Sequence, residues 1–450
     1  MMYEETIGEL LELFKEQYGV WDAEVSSVFE GQRDLLAFVM SVGTALEQRM
    51  CATLGSGYRG ASVKGASGRY RFKGYRPRSM HGLFGKVTVQ RAHYVGPQGE
   101  SWYPLDEKLP ACGHTPGLQY YLCRFTGQGA YEKALGLFHE VFRPEGGEEL
   151  SMRKALDMDY ALGERLEELR RGEIERWHVD ERSIDSRAPI EGTMVVSVDA
   201  TKLREKLGEE HLSEGRKRYE IGFRDVKVGV VSALEWDESR EEAACVESSY
   251  VGAVEHADGF FERLAVEMQR RRGRSDPEQL VFLGDGAEWI WDRVAQLTDE
   301  NSVEILDFYH ASEHLSEICK ALYGEYTAAY WQHYRRWRTL LSEGRAAHII
   351  ETLKELQRST NEEALVRMLL REIAYFEKNR LRMCYPAYRA RGLPIGSGTV
   401  ESACKNVIGG RMKQGGMTWS PPGADGMIQI RCSQESDRFL ADVRELLSAA

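Results

Sequence analysis

The chain has 450 residues, 42% of them hydrophobic and 29% charged, and a formal net charge of −12 at pH 7. That length accommodates two to four domains with their own cores, and the composition excludes a disordered or fibrous polymer. The acidic balance also excludes a protein that coats nucleic acid by bulk attraction, because phosphate binding relies on clustered Lys and Arg, so any nucleic-acid surface must be local.

The longest apolar run, residues 35–46, is far short of the roughly 20 residues that span a bilayer, and Glu4, Glu5 and Glu9 occupy the place of a basic signal region. No membrane partner and a cytoplasmic address are expected. The eight cysteines form no Cys-x-x-Cys pair and no Cys/His quartet at zinc spacing, which predicts reduced, buried thiols and no zinc.

In chain order, residues 3–54 show helical spacing, with Ile7, Leu10, Leu11 and Phe14 on one face and a second apolar helix at 35–50. They define a helical N-terminal region, 1–65. A small β module, 66–110, is predicted from the strand 85–94, which ends at the turn Gly96-Pro97-Gln98-Gly99. Helices return at 118–125, 130–142 and 150–169, with a Gly146-Gly147 break before the last. The final pair reads either as a helix-turn-helix within a DNA-binding region, 111–180, or as two packed helices without a DNA contact. Arg153 and Lys154, at the start of the second helix, are the candidate DNA contacts there.

A charged linker, 164–191, then leads into apolar strands. Residues 194–198 form a strand expected to end at Asp199, followed by strands 219–234 and 244–251 and helix 259–272. Strand 280–283 runs into Gly284-Asp285-Gly286, and helix 287–296, strand 303–308 and helix 311–322 follow. This order predicts a multi-domain α/β protein whose mixed sheet is covered on both faces, in a core spanning 190–325. An all-helical insertion, 326–390, separates it from a closing segment, 391–450, with a helix from Val400. Trp331, Tyr334 and Trp337 recur at helical spacing, a stripe more often core than base-stacking platform.

Asp199 and Asp285 each follow an apolar strand, where a sheet presents functional groups beyond its C-terminal edge, and Glu401 adds a third carboxylate from a helix. Oxygen ligands of this kind suit magnesium, which keeps open positions for water and phosphate. Singly, Asp285 also reads as a turn or helix cap, Asp307 as a helix N-cap, and Glu401 as an i,i+4 partner of Lys405.

Val198-Asp199-Ala200-Thr201, Gly284-Asp285-Gly286-Ala287-Glu288-Trp289, Asp307-Phe308-Tyr309-His310 with His314, and Gly392-Leu393-Pro394-Ile395-Gly396-Ser397-Gly398-Thr399-Val400-Glu401 with Arg411, Lys413 and Trp419 closely resemble bacterial insertion-sequence transposases of the ISKra group. The resemblance covers nearly the whole chain. It implies a ribonuclease-H-like catalytic core, with Asp199, Asp285 and Glu401 as catalytic and metal-holding residues. Two divalent ions, magnesium or manganese, and Asp307 and His310 as accessory active-site residues are implied with them. One departure is the absence of the cysteine pairs that related transposases often carry around the β module.

The implied activity is DNA transposition: metal-dependent cleavage at the element's ends and strand transfer into target DNA. The implied partners are terminal inverted repeats and target DNA, with a homodimer or higher homo-oligomer assembled on them, placing the cytoplasmic protein at the nucleoid when bound. Lys405, Arg411, Lys413 and Trp419 are candidate DNA contacts beside Glu401, with Trp419 either stacking on a base or packing locally. A stand-alone ribonuclease-H-like metal nuclease and a domesticated DNA-binding regulator are the competing readings.

Overall fold

The computed structural model describes residues 25–65, 67–110, 112–143, 149–211, 217–239, 242–272 and 276–448. The predicted face of Ile7, Leu10, Leu11 and Phe14 and the Gly146-Gly147 break lie outside these residues. The chain is mixed α/β and divides into two compact units: the described residues up to Leu162 with those from Val443, and Gly163–Asp442.

The first unit opens with helix α1 (Val25–Ala52) and an antiparallel sheet, β1 (Ser62–Gly65), β2 (Gly68–His81), β3 (Lys86–Val95) and β4 (Ser101–Trp102), in sequence order. Val87 and Val89 of β3 are buried with Met80 and Leu105, whereas Ala92 and Tyr94, of opposite parity, are buried in a separate cluster with Tyr70. Helices α2 (Pro116–Thr126), α3 (Tyr131–Phe142) and the start of α4 (Met152–Val179) share a core of Leu118, Leu122, Phe138, Ala155 and Met158. Helix α2 starts where Thr115 accepts the Leu118 N–H, and α4 where Ser151 Oγ accepts the Lys154 N–H.

The second unit is built on a five-stranded sheet in the order β7-β6-β5-β8-β9: β5 (Thr193–His211), β6 (Lys217–Asp237), β7 (Glu242–Ala253), β8 (Gln279–Gly284) and β9 (Val303–Leu306). Strands β5, β6 and β7 pair antiparallel, whereas β8 and β9 run parallel to β5. Both faces are covered. Gly229 faces Phe260 and Leu264 of α5 (Ala257–Arg271), whereas Gly252, paired with the adjacent Val228, faces Ile428 and Cys432 of α13 (Pro421–Glu435). Between them lie α6 (Glu288–Val294), α7 (Phe308–Tyr323), the helices α8 (Ala328–Ser342), α9 (Ala346–Ser359), α10 (Glu363–Asn379) and α11 (Tyr385–Ala390), and α12 (Gly398–Ala403); α14 (Phe439–Ser448) closes the chain. Among the described residues no helix is long and apolar enough to cross a membrane. Of the expected buried thiols, Cys112 and Cys384 are exposed.

Two expectations are corrected here. Strand β5 does not stop at Asp199 but continues to His211, because beyond Val198 the apolar run gives way to alternation, with Leu203 and Glu205 buried between exposed Lys202 and Arg204. Nor is 164–191 a linker: α4 extends to Val179, and two of its charges, Arg170 and Glu173, are buried. Arg170 is 2.9 Å from Glu173 and bonds to Asp442, Arg270 is 2.7 Å from Glu173, and Arg438 bonds to Glu267. A charged composition reads as solvated linker only while the partners, here far away in sequence, are unseen.

Burial alone would raise the Glu173 and Glu267 carboxyls, but the surrounding arginines more than offset it and hold both at about 2, below the ordinary 4.5. Carboxylates held low in the folded state contribute stability that is complete above about 4.5 and lost as pH falls toward 2. The urea midpoint is therefore expected to stay level near neutrality and to drop below pH 4.5. Glu267→Gln should cost about 3 to 5 kcal/mol at neutral pH, since it leaves buried arginine charge uncompensated. It should also make the acid slope shallower; an unchanged slope would contradict ionisation of Glu267 in the cluster.

Candidate active site

Strand register lines up three aspartates. The parallel pairing of β5 with β8 ends at Val198↔Gly284, and that of β8 with β9 at Gly284↔Leu306. Asp199, within β5, and Asp285 and Asp307, just past the ends of β8 and β9, each stand one residue past those last pairs, side by side on neighbouring strands about 4.8 Å apart.

The three have different surroundings. Asp307 is fully buried. One of its oxygens accepts the His310 N–H at 2.8 Å, capping α7, and the other accepts the Ser397 N–H. The adjoining backbone is tied in as well, Asp307 N–H to Gly284 O and Phe308 N–H to Ile395 O, both at 2.8 Å. Asp307 is thus a clamp joining the end of β8, the start of α7 and the loop before Glu401. The helix-cap alternative accounts for this residue, and it positions its neighbours.

Asp285 accepts the Ala287 N–H at 2.9 Å through Oδ1, and its second oxygen makes no hydrogen bond among the described residues. Its flanking glycine is required sterically: a Cβ on Gly286 would stand 2.0 Å from the Tyr375 ring. Gly396 has the same relation to Tyr309, where a Cβ would stand 2.6 Å from the ring. Asp199 Oδ1 accepts the Ala200 N–H at 2.6 Å, and the Cys404 thiol lies 3.6 Å from Oδ2. Burial pushes the Asp199 carboxyl above its ordinary range; the like charge of Asp285 adds to the push, while Ala200 N–H, Cys404 and the nearby His310 oppose it. Lys413 donates to Thr201, two residues along the same strand, and burial lowers the pKa of its amine while Cys404 and Asp199 work the other way.

Glu401 sits on α12, exposed, with Ser397 Oγ 3.4 Å from Oε1, and forms no ion pair with Lys405 among the described residues. Its helix runs into a π-helical turn, Cys404–Gly409, a form frequent at functional sites. Buried Arg431 supports that turn by donating to the Asn406 carbonyl at 2.7 Å and to the Val407 carbonyl at 3.4 Å. Asp199 lies in the field of both Asp285 and His310, and Cys404 in the field of both Asp199 and Glu401. Among the described residues, no three His, Cys, Asp or Glu side chains are grouped closely enough to hold a metal ion.

The candidate DNA contacts divide. Lys405 is exposed, and Arg153, 84% exposed, is 3.1 Å from Asp157; Lys154 reaches the Cys112 carbonyl at 3.4 Å. Arg411 and Trp419, by contrast, are interior, only 1% and 7% exposed. The guanidinium lies 5.0 Å from the indole centroid, the indole N–H donates to Met412 O, and the Trp419 backbone bonds to Arg204 and Lys206 of β5. They fasten the closing segment to β5 and leave little surface for a partner, because a bulky ring and a planar cation stack most favourably away from water. Sequence reading also missed Cys404 and the pair His314 and Glu372. The signal for the pair was present in His314, one turn after His310, but its partner lies 58 positions away.

No protein-family model matches the chain, and no curated protein matches its sequence.

Asp285→Asn removes one of the two influences that raise the Asp199 carboxyl. Carboxylate-detected NMR titration is expected to show Asp199 moving down toward the ordinary aspartate range in that variant. A titration identical to that of the unmodified protein would mean that the two carboxylates do not share a site.

Proposed function

We propose that the chain is a DNA transposase with a ribonuclease-H-like core, using Asp199, Asp285 and Glu401 for phosphodiester hydrolysis and strand transfer. The observation that carries the reading is the register that sets Asp199 and Asp285 together at the edge of a mixed sheet. Three antiparallel strands followed by two parallel ones, with an acid within the first and another after the fourth in sequence, are compatible with a ribonuclease-H-like reading; the rest of the assignment rests on the resemblance of the motifs.

Divalent ions fit this donor set. Asp199 and Asp285 offer only hard oxygen ligands, one carboxyl is raised by burial and by the charge of the other, and a cation between them relieves that repulsion. Asp199 and Asp285 are the residues that would hold magnesium or manganese; Glu401 is not grouped with them among the described residues, and its part rests on the resemblance. When bound, such ions stabilise the attacking and leaving oxygens of a phosphoryl transfer.

The protein's own residues have complementary tasks. Asp307 sets the spacing between the end of β8 and the Glu401 loop, and Lys413 and Lys405 supply positive charge beside the acids, where a phosphate backbone would otherwise be repelled. Arg153 and Lys154, at a helix start in the other unit, are the proposed end-reading contacts. Two protomers would hold two DNA ends, the duty that distinguishes a transposase from a stand-alone nuclease.

Asp199→Asn, Asp285→Asn and Glu401→Gln are each expected to abolish magnesium-dependent cleavage of a plasmid carrying the DNA that flanks the gene. Thermal melting and DNA affinity should change little, since each exchange keeps volume and removes only charge. Near-normal cleavage by any one variant would remove that residue from the assignment, and near-normal cleavage by all three would refute the reading.

A further inference from the structure

One turn beyond His310 on α7, a second histidine meets the helical insertion. His314 Nδ1 lies 2.6 Å from Oε2 of Glu372 on α10, and that carboxylate is only 3% exposed. Its other oxygen, Oε1, accepts from Arg371 Nε and Nη2 at 2.9 and 2.8 Å. Burial works against ionisation of Glu372, but the hydrogen bonds from His314 and Arg371 hold its carboxyl below the ordinary range. An ionised carboxylate only accepts, so the shared proton belongs to His314 Nδ1. In the neutral ring this leaves the lone pair on Nε2.

Nε2 makes no hydrogen bond among the described residues, and the His314 side chain is 27% exposed. The ring is held in place on both sides. It stacks on Tyr375 at 3.8 Å with an interplanar angle of 16°, and it meets the His310 ring at 5.2 Å. Tyr375 in turn covers Gly286, next to Asp285, while His310 lies in the field of Asp199. His314 therefore shares a neighbour with each of the two paired carboxylates. A histidine serving packing alone has no need of a buried carboxylate from another helix on one nitrogen and an unpartnered second nitrogen beside a site.

We infer that His314 is a proton acceptor of this site, fixed by Glu372 in the tautomer that presents Nε2. The inference rests on the phosphodiester reading above. In the step it serves, the O–H bond of the attacking water or 3′-hydroxyl breaks and its proton passes to Nε2. The electron pair of that bond stays on the oxygen, which forms the new bond to phosphorus. The bond from phosphorus to the leaving oxygen breaks, and that oxygen takes a proton from solvent. Glu372 is a positioning residue, which also favours the imidazolium that forms.

The test has two arms, both on the full-length protein. In protein labelled with nitrogen-15 histidine, with His314 assigned by comparison with His314→Asn, the His314 ring is expected as the Nδ1–H tautomer, and the isosteric Glu372→Gln should shift it toward a mixture. In cleavage of the flanking-DNA plasmid, His314→Asn should lower the rate about 10²- to 10⁴-fold and remove the acid limb of the pH profile. Added imidazole should restore part of the activity of His314→Gly. An Nε2–H tautomer in the unmodified protein, or a slow His314→Asn with an unchanged pH profile and no imidazole rescue, would overturn the inference. Loss of cleavage in Asp199→Asn alongside full activity in His314→Asn would overturn it while leaving the functional reading intact; no cleavage by the unmodified protein would overturn both.

Discussion

Parallel pairing of β5, β8 and β9 in matched register is the constraint on which the rest of the second unit depends. Backbone hydrogen bonding sets neighbouring strands about 4.8 Å apart, so residues one position past the last pairs are neighbours whatever their chemistry. Here all three are aspartates, at 199, 285 and 307. Three like charges in a row would repel, and the fold divides their duties. Asp307 is fully engaged with backbone N–H groups from two segments, whereas Asp285 keeps an oxygen free and Asp199 is pushed up by burial and by Asp285.

Asp307 also explains how a helical insertion is tolerated between the sheet and the closing segment. Helices α8 to α11 lie between β9 and Glu401 in sequence, yet the Ser397 N–H ends on the Asp307 carboxylate and the Ile395 carbonyl on Phe308 N–H. A second fastening follows, in which Trp419 bonds to β5 at Arg204 and Lys206 and stacks under Arg411. Between these two points the chain makes α12 and the π-helical turn, so Cys404 and Lys413 are held near Asp199. The insertion itself supplies Glu372 and Tyr375 to the far side of the site.

Much of this was legible in the sequence. The apolar strands, the helical insertion and the placement of acids after strands 194–198 and 280–283 follow from hydrophobic period and turn residues alone. What was illegible depended on distant partners. Strand β5 was read as ending at Asp199 because its continuation is only half covered. The segment from Glu164 reads as a linker because its buried charges, Arg170 and Glu173, are matched by Asp442 and Arg270, far along the chain. Arg411 and Trp419 were read as DNA contacts because a cation and an indole near glycines suit that use, and only their burial, 1% and 7% exposed, shows the packing role. His314 was visible as a residue but not as a dyad.

The central claim is that this acid pair performs phosphodiester chemistry at defined DNA ends. It is tested most directly by incubating the unmodified protein with magnesium and a plasmid carrying the DNA that flanks the gene, then mapping the cut strands at nucleotide resolution. The account predicts breaks at the element's termini that expose 3′-hydroxyls, followed by products in which those hydroxyls are joined to target DNA. Cuts scattered without regard to the termini, or no magnesium-dependent cuts at all, would contradict it.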